Sequence, residues 1–124
     1  MNLKLGKPYK LCSKKLIQQI FDKGNSLNSF PFSSKYVLLN KSEGPPFQVA
    51  FSVPKKKVKS AVDRNRIKRL MKEVVRLNKA IIEDKIPADK QLALFLIYTP
   101  RKEFSFDVLN SKMIKLLNKI TTQL

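Results

Sequence analysis

The side chains best able to do chemistry are concentrated in residues 55–79, where lysine and arginine recur at helical spacing. At 100° per residue, one side of such a helix is apolar. It consists of Ile67, Leu70, Met71, Val74, Leu77 and Ile81. The opposite side has no acidic residue, although Glu73 lies at its edge. This basic side consists of Asn65, Lys68, Arg69, Lys72, Arg76 and Lys79. The pattern predicts a helix that buries one side and binds a polyanion with the other.

The start of this helix is also marked in the sequence. Residues 60–63 fit a capping box, with Ser60 as the N-cap and Asp63 reaching back to its backbone N–H. Arg64 and Arg66 follow near the positive end of the helix dipole, where each cation costs about 0.3–1 kcal/mol. A solvated helix face is the ordinary explanation of a lysine-rich helix, but this unfavourable placement favours a polyanion site. The preceding loop adds Lys55, Lys56, Lys57 and Lys59.

Catalytic side chains are missing from the sequence. Because there is no histidine, acid–base catalysis by histidine is excluded, and a single cysteine argues against a zinc site. Of nine carboxylates only Glu83, Asp84 and Asp89 cluster, in a predicted turn, whereas a two-metal phosphodiesterase needs several converging acidic ligands. No glycine-rich phosphate loop or nucleophile elbow is present. We therefore predict no catalytic residue, no metal ligand and no cofactor bound by the protein alone.

The composition agrees with a nucleic-acid partner. The chain has 124 residues and a net charge of +17, which predicts one domain over residues 1–124 with a basic N-terminal arm at residues 1–10. There is no apolar run of about 18 residues and no signal-peptide pattern, so we expect no membrane association. The lone Cys12 cannot form an internal disulfide, which is typical of a cytoplasmic protein.

The remaining elements follow from hydrophobic periodicity and turn residues. Helices are predicted over residues 11–23, with Ser13 as N-cap and Gly24 at its end, and over residues 106–120. Strands are predicted at residues 35–40, 48–53 and 92–98, the last of them covered on both faces, and residues 25–34 leave room for a short edge strand. Residues 41–46 are predicted to form a hairpin loop. The expected fold class is α+β, with helices packed on a sheet.

The basic stretch and the strand before it resemble the protein component of bacterial ribonuclease P. The resemblance is carried by Phe51-Ser52-Val53-Pro54-Lys55-Lys56 and by Ala61-Val62-Asp63-Arg64-Asn65-Arg66-Ile67-Lys68-Arg69. It extends to residues 16–26 and, more loosely, to the rest of the chain. It implies a single-domain αβββαβα sandwich of the type of the second domain of ribosomal protein S5, with a left-handed βαβ crossover.

The resemblance also implies the partners and the contact residues. In that family the RNA subunit catalyses Mg²⁺-dependent removal of the 5′ leader from precursor tRNA, and the protein binds the catalytic RNA and the leader. It needs no obligate protein partner. Transferred to this sequence, the residues that contact the catalytic RNA are Lys55, Lys56, Arg64, Asn65, Arg66, Lys68 and Arg69, extended by Lys72 and Arg76.

A second surface is implied for the leader, whose bases rest in a cleft beside the first helix in that family. Phe21 matches one aromatic position of the family's helix, and Ile17 stands at the other as an aliphatic departure. Tyr36 is expected to supply the strand aromatic, with Leu39 as the competing match. Plain core packing is the alternative role for Phe21 and Tyr36.

Two other functions are compatible with part of the sequence. A structural RNA-binding protein of the ribosomal type would have the same size and charge, and only the signature at residues 64–69 argues against it. A self-sufficient nuclease is disfavoured by the missing catalytic side chains. Cleavage assays with and without the RNA separate these functions.

Overall fold

The computed structural model describes residues 6–41 and 44–124. A turn of 3-10 helix at Lys7–Tyr9 precedes three helices and four strands. In chain order these are α1 (Lys14–Lys23), β1 (Asn25–Ser29), β2 (Phe32–Asn40), β3 (Phe47–Ser52), α2 (Ala61–Glu83), β4 (Lys90–Tyr98) and α3 (Phe106–Thr121). The predicted α+β class and the αβββαβα order are confirmed, and the expected edge strand is β1.

The strands form one sheet in the order β1-β2-β4-β3. Strand β2 is antiparallel to β1 and β4, whereas β3 is parallel to β4. The predicted hairpin between β2 and β3 is therefore wrong, because β4 lies between them; residues 42 and 43 of that loop lie outside the described residues. The unit β3–α2–β4 is a parallel crossover, and its left-handed sense stays a prediction.

The pairing register places three connections at the same end of the sheet. Ser52 at the end of β3 pairs with Ile97, and Phe32 at the start of β2 pairs with Tyr98. The turn between β1 and β2, the loop after β3 and the loop after β4 therefore lie together, beside the first turn of α2.

Helices α2 and α3 cover one face of the sheet. Three residues of α2 are buried in the core as predicted, namely Ile67, Met71 and Val74. The buried side is rotated from the predicted one, since Val75 is also buried and Leu77 is 40% exposed. The rotation follows from the position of α2, which packs against both β3 and α3. Within the described ranges, no helix is long and apolar enough to cross a bilayer.

Helix α1 covers the other face. Its Ile20 is buried in a smaller core with Leu11 and with Ala93 of β4. Leu92 and Leu94 of the same strand are buried in the larger core, so β4 is covered on both faces as predicted.

The predicted N-caps Ser13 and Ser60 are confirmed, whereas Asp63, expected to complete a capping box, accepts a hydrogen bond from Arg66 Nη2. Ser13 Oγ accepts a hydrogen bond from the Leu16 N–H, and Ser60 Oγ accepts one from the Asp63 N–H at 3.3 Å. Helix α1 ends at Gly24, which has an extended backbone with φ −74° and ψ 157° rather than the left-handed cap conformation. Glycine is needed there for space, because a Cβ atom would lie 2.3 Å from the carbonyl oxygen of Ile20.

The described part of the N-terminal arm is attached to the domain rather than irregular. Lys10 forms a parallel bridge with Val49 of β3. The Tyr9 ring packs against Phe47, and its hydroxyl donates to Glu83 Oε1 at 3.1 Å. Lys79 Nζ lies 4.4 Å from the centre of the Tyr9 ring and donates to the Tyr9 hydroxyl oxygen at 3.2 Å. Lys79 is consequently only 2% exposed, so its predicted place on the basic side of α2 is wrong.

Candidate nucleic-acid interface

The central part of the basic side of α2 is available to a ligand. Lys68, Arg69 and Lys72 are exposed, and none of them has an ion pair or hydrogen bond to another side chain in the described part of the chain. They form one wall of a cleft of about 580 Å³. The opposite walls come from β3 and from the N-terminal segment, which contributes a fourth cation, Lys10. Convergent exposed cations without carboxylate partners are suited to phosphate groups.

Asn65 lies one helical turn before Arg69 and is exposed. It lines a shallow depression together with Val62, Lys68 and Arg69. Its amide is therefore on the same surface as the available cations, as predicted.

Arg66 does not belong to this available group. Its Nε donates to Glu103 Oε1 at 2.7 Å, its Nη2 donates to Glu103 Oε2 at 2.9 Å, and Nη2 also reaches Asp63 Oδ1 at 2.7 Å. The hydrogen bond from Arg66 lowers the pKa of the Glu103 carboxyl, so Glu103 is ionised at neutral pH. A lowered pKa stabilises the fold above the ordinary glutamate pKa, and this contribution is lost as the pH falls through the folded value. Arg66, which was predicted to contact RNA, is therefore paired with two carboxylates of the protein.

Arg64 and Arg76 also have partners inside the protein. Arg64 Nη1 donates to the carbonyl oxygens of Val58 at 3.0 Å and Lys59 at 2.8 Å. Arg76 Nε donates to Glu73 Oε2 at 2.9 Å, and this bond lowers the pKa of the Glu73 carboxyl. Arg64 thus holds the loop before α2, whereas the charge of Arg76 is balanced by Glu73.

The loop after β3 extends the basic surface at the start of α2. Lys55 and Lys56, the predicted RNA contacts of this loop, are exposed. The loop is closed by hydrogen bonds from the N–H groups of Lys57 and Val58 to the Pro54 carbonyl oxygen. Its lysines therefore stand on a folded turn at the end of the sheet, next to the first turn of α2.

The surface beside α1 carries part of the predicted leader site. Phe21 is 43% exposed and packs edge-on against Phe95 of β4, with 5.0 Å between ring centres. Lys35 Nζ lies 5.8 Å from the centre of the Phe21 ring. Ile17 is half-buried against the core under α1, where it offers an apolar contact. An exposed ring with a cation nearby is suited to a stacked nucleotide.

Tyr36 does not lie on this surface, so that prediction is wrong. It is 2% exposed and belongs to the core under α2 and α3, on the other face of the sheet. Burial raises the pKa of its hydroxyl. Strand β2 begins at Phe32, and its even-numbered side chains face that core. Val37 and Leu39 face α1. Leu39, the competing match, is therefore on the correct face.

Phe95 was not predicted as part of this surface. Its strand is apolar at almost every position, so the sequence contains no alternation that would assign this ring to the α1 face.

For residues 6–41 and 44–124, no group of three His, Cys, Asp or Glu side chains is placed to hold a metal ion.

Comparison with known proteins gives consistent results. Residues 5–121 match the family model described as Ribonuclease P. A ribonuclease P protein component from Lactobacillus helveticus is 37% identical over 94 residues, which cover 76% of this chain and 70% of that protein. A ribonuclease P protein component from Chlorobium phaeobacteroides is 35% identical over 121 residues, which cover 89% of this chain and 83% of that protein.

Solved structures are similar over nearly the whole chain. The RNase P protein of Staphylococcus aureus aligns with a TM-score of 0.72 at 25% identity, covering 92% of this chain and 96% of that one. The RNase P protein of Thermotoga maritima aligns with a TM-score of 0.72 at 23% identity, covering 89% of this chain and 96% of that one, which shows a shared fold.

Proposed function

The chain belongs to the ribonuclease P protein family, and from that premise we propose that it binds the catalytic RNA through α2 and the 5′ leader of precursor tRNA through the surface beside α1. It is a protein component of ribonuclease P, and the family match supports this role over that of a structural ribosomal-type protein. We place the complex in the cytoplasm.

One observation carries the proposed RNA contact. Lys68, Arg69 and Lys72 are exposed on one wall of a cleft, and no carboxylate of the described residues neutralises them. Each cation that contacts a phosphate releases condensed counterions, which makes RNA binding favourable and salt-dependent. Lys55, Lys56 and Asn65 extend this surface, and Arg64 supports it by holding the loop.

The chemistry is assigned to the RNA. We propose that Mg²⁺ acts with the catalytic RNA, that the protein alone holds no metal, and that the protein increases substrate affinity through the leader. The Phe21 ring and its neighbour Phe95 support the leader contact, because base stacking on aromatic rings is tolerant of sequence.

The proposed function is tested by cleavage of precursor tRNA at low Mg²⁺. The protein alone is expected to be inactive, the cognate RNA alone weakly active, and the two together fully active, because the protein supplies affinity but no catalytic group. Product formation is followed on gels with a 5′-labelled substrate. Cleavage by the protein alone would contradict the assignment of catalysis to the RNA.

The Arg66–Glu103 pair provides a separate prediction. Glu103→Gln is expected to strengthen binding of the catalytic RNA by about two- to fivefold, because it removes the carboxylate that accepts two hydrogen bonds from Arg66 and leaves Asp63 as the one carboxylate partner of Arg66 in the described part of the chain. The slope of log affinity against log salt should also steepen by a little under one unit. Filter binding over a salt series measures both quantities.

Asp89→Asn is the matched control, since it removes one negative charge from an exposed turn at the other end of β4. It is expected to change the affinity through net charge alone. Equal effects of the two variants would show that Arg66 does not gain an RNA contact when Glu103 is neutralised.

A further inference from the structure

An exposed aromatic pair lies apart from the basic side of α2 and from the surface beside α1 that carries Phe21. Phe30, in the turn between β1 and β2, is 61% exposed and is the most exposed aromatic residue in the described part of the chain. Its ring meets Phe104 edge-on, with 5.7 Å between ring centres and an interplanar angle of 87°. Phe104 packs at the border of the core under α2 and α3, so the pair and Phe21 are on opposite faces of the sheet.

Hydrogen bonds fix the backbone next to both rings. The Pro31 carbonyl oxygen accepts hydrogen bonds from the Thr99 N–H at 3.0 Å and from Thr99 Oγ1 at 3.2 Å, which attach the turn to the end of β4. The Tyr98 hydroxyl donates to the Lys102 carbonyl oxygen at 2.7 Å and so fixes the loop that carries Phe104. A ligand therefore finds the rings already positioned, and little ordering entropy is lost on binding.

One cation lies beside the Phe104 ring, and two more contact the backbone of neighbouring segments. Lys102 Nζ lies 5.2 Å from the centre of the Phe104 ring, and Lys119 Nζ donates to the Asn28 carbonyl oxygen beside the turn. Arg101 extends from the same loop towards the Lys56 carbonyl oxygen, so the pair adjoins the basic loop after β3. Glu103, the acidic residue of this loop, is already paired with Arg66.

We propose that Phe30 and Phe104 form a stacking site for one unpaired RNA base, with Arg101, Lys102 and Lys119 neutralising the phosphates on either side of it. An apolar protein partner would have to bury these cations, whereas a nucleotide brings both an aromatic ring and negative charge. The inference rests on the proposed function, which supplies the RNA. The base belongs to the catalytic RNA or to the substrate, and the chemistry of recognition is the same for both.

The test measures binding of the full chain to three probes. These are the catalytic RNA alone, precursor tRNA presented with the catalytic RNA, and a short single-stranded RNA containing 2-aminopurine. Phe30→Ala is expected to weaken binding of at least one of the first two probes by about 5- to 100-fold. It should also reduce the quenching of 2-aminopurine fluorescence that occurs when the third probe binds the protein. The probe that loses affinity identifies the source of the base. The salt slope should not change, because stacking releases no counterions.

Matched variants separate stacking from other effects. Phe30→Trp should bind like the wild type, and Phe30→Leu should bind like Phe30→Ala, because leucine keeps apolar area but not a ring face. Leu77→Ala, which removes an apolar side chain that is 40% exposed on α2, should have no effect. Unchanged affinity of Phe30→Ala for all three probes, or wild-type binding by Phe30→Leu, would overturn the stacking site. Either result could occur while the protein still stimulates cleavage, so it would leave the proposed function standing.

Discussion

Replacing Lys68, Arg69 and Lys72 together by alanine is expected to weaken binding of the catalytic RNA by about 10- to 100-fold near physiological salt. The plot of log affinity against log salt should become less steep by about two to three units, since each lost phosphate contact removes about 0.7–0.9 from the magnitude of the slope. The reason is structural: these three cations are exposed on one cleft wall and have no carboxylate partner in the described residues. Filter binding over a salt series measures both quantities.

A charge-matched triple variant controls for net charge. Lys85, Lys112 and Lys115 lie outside the cleft, and their replacement by alanine removes the same three charges. Their loss is expected to change the affinity much less, and thermal unfolding should confirm that both triple variants fold. If both variants lost the same affinity and slope, the RNA would be responding to overall charge and not to the α2 surface.

Phe21→Ala is expected to weaken binding of precursor tRNA by about 5- to 100-fold while leaving mature tRNA almost unaffected. The ring is 43% exposed beside Lys35, and Phe95 supports it from beneath, so its outer face is open to a base. The comparison of the two tRNAs, each bound to the assembled complex, isolates the contribution of the leader.

Phe21→Tyr keeps an aromatic ring at this position and should retain most of the preference for precursor tRNA. Equal losses for precursor and mature tRNA on Phe21→Ala would mean that the ring only supports the packing of α1 on the sheet.

Local patterns in the sequence predicted the elements well because the forces that define them are local. Ser13 and Ser60 begin helices by accepting hydrogen bonds from residues three positions later, a distance that can be read directly from the sequence. The pairing of strands is not local. The parallel alignment of β3 with β4 depends on the crossover through α2, and nothing in residues 41–46 indicates that another strand separates β2 from β3.

The basic surface was predicted in outline for the same reason, and its exceptions involve distant partners. Glu103 reaches Arg66 across 37 positions, and Tyr9 covers Lys79 across 70. Helical spacing contains no information about either contact. The prediction for Tyr36 failed for a different reason. Side chains of a strand alternate between the two faces of the sheet, so an uncertain starting residue leaves the face of Tyr36 undetermined.

The contacts of Tyr9 with Lys79 and Glu83 have a consequence for the order in which the protein is assembled. Synthesis proceeds from the N-terminus, so residues 6–10 leave the ribosome long before the end of α2 exists to receive them. Until Glu83 has emerged, the 580 Å³ cleft lacks one of the attachments that hold its N-terminal wall. The nascent chain therefore carries its lysines and arginines for most of its synthesis without a finished cleft for RNA.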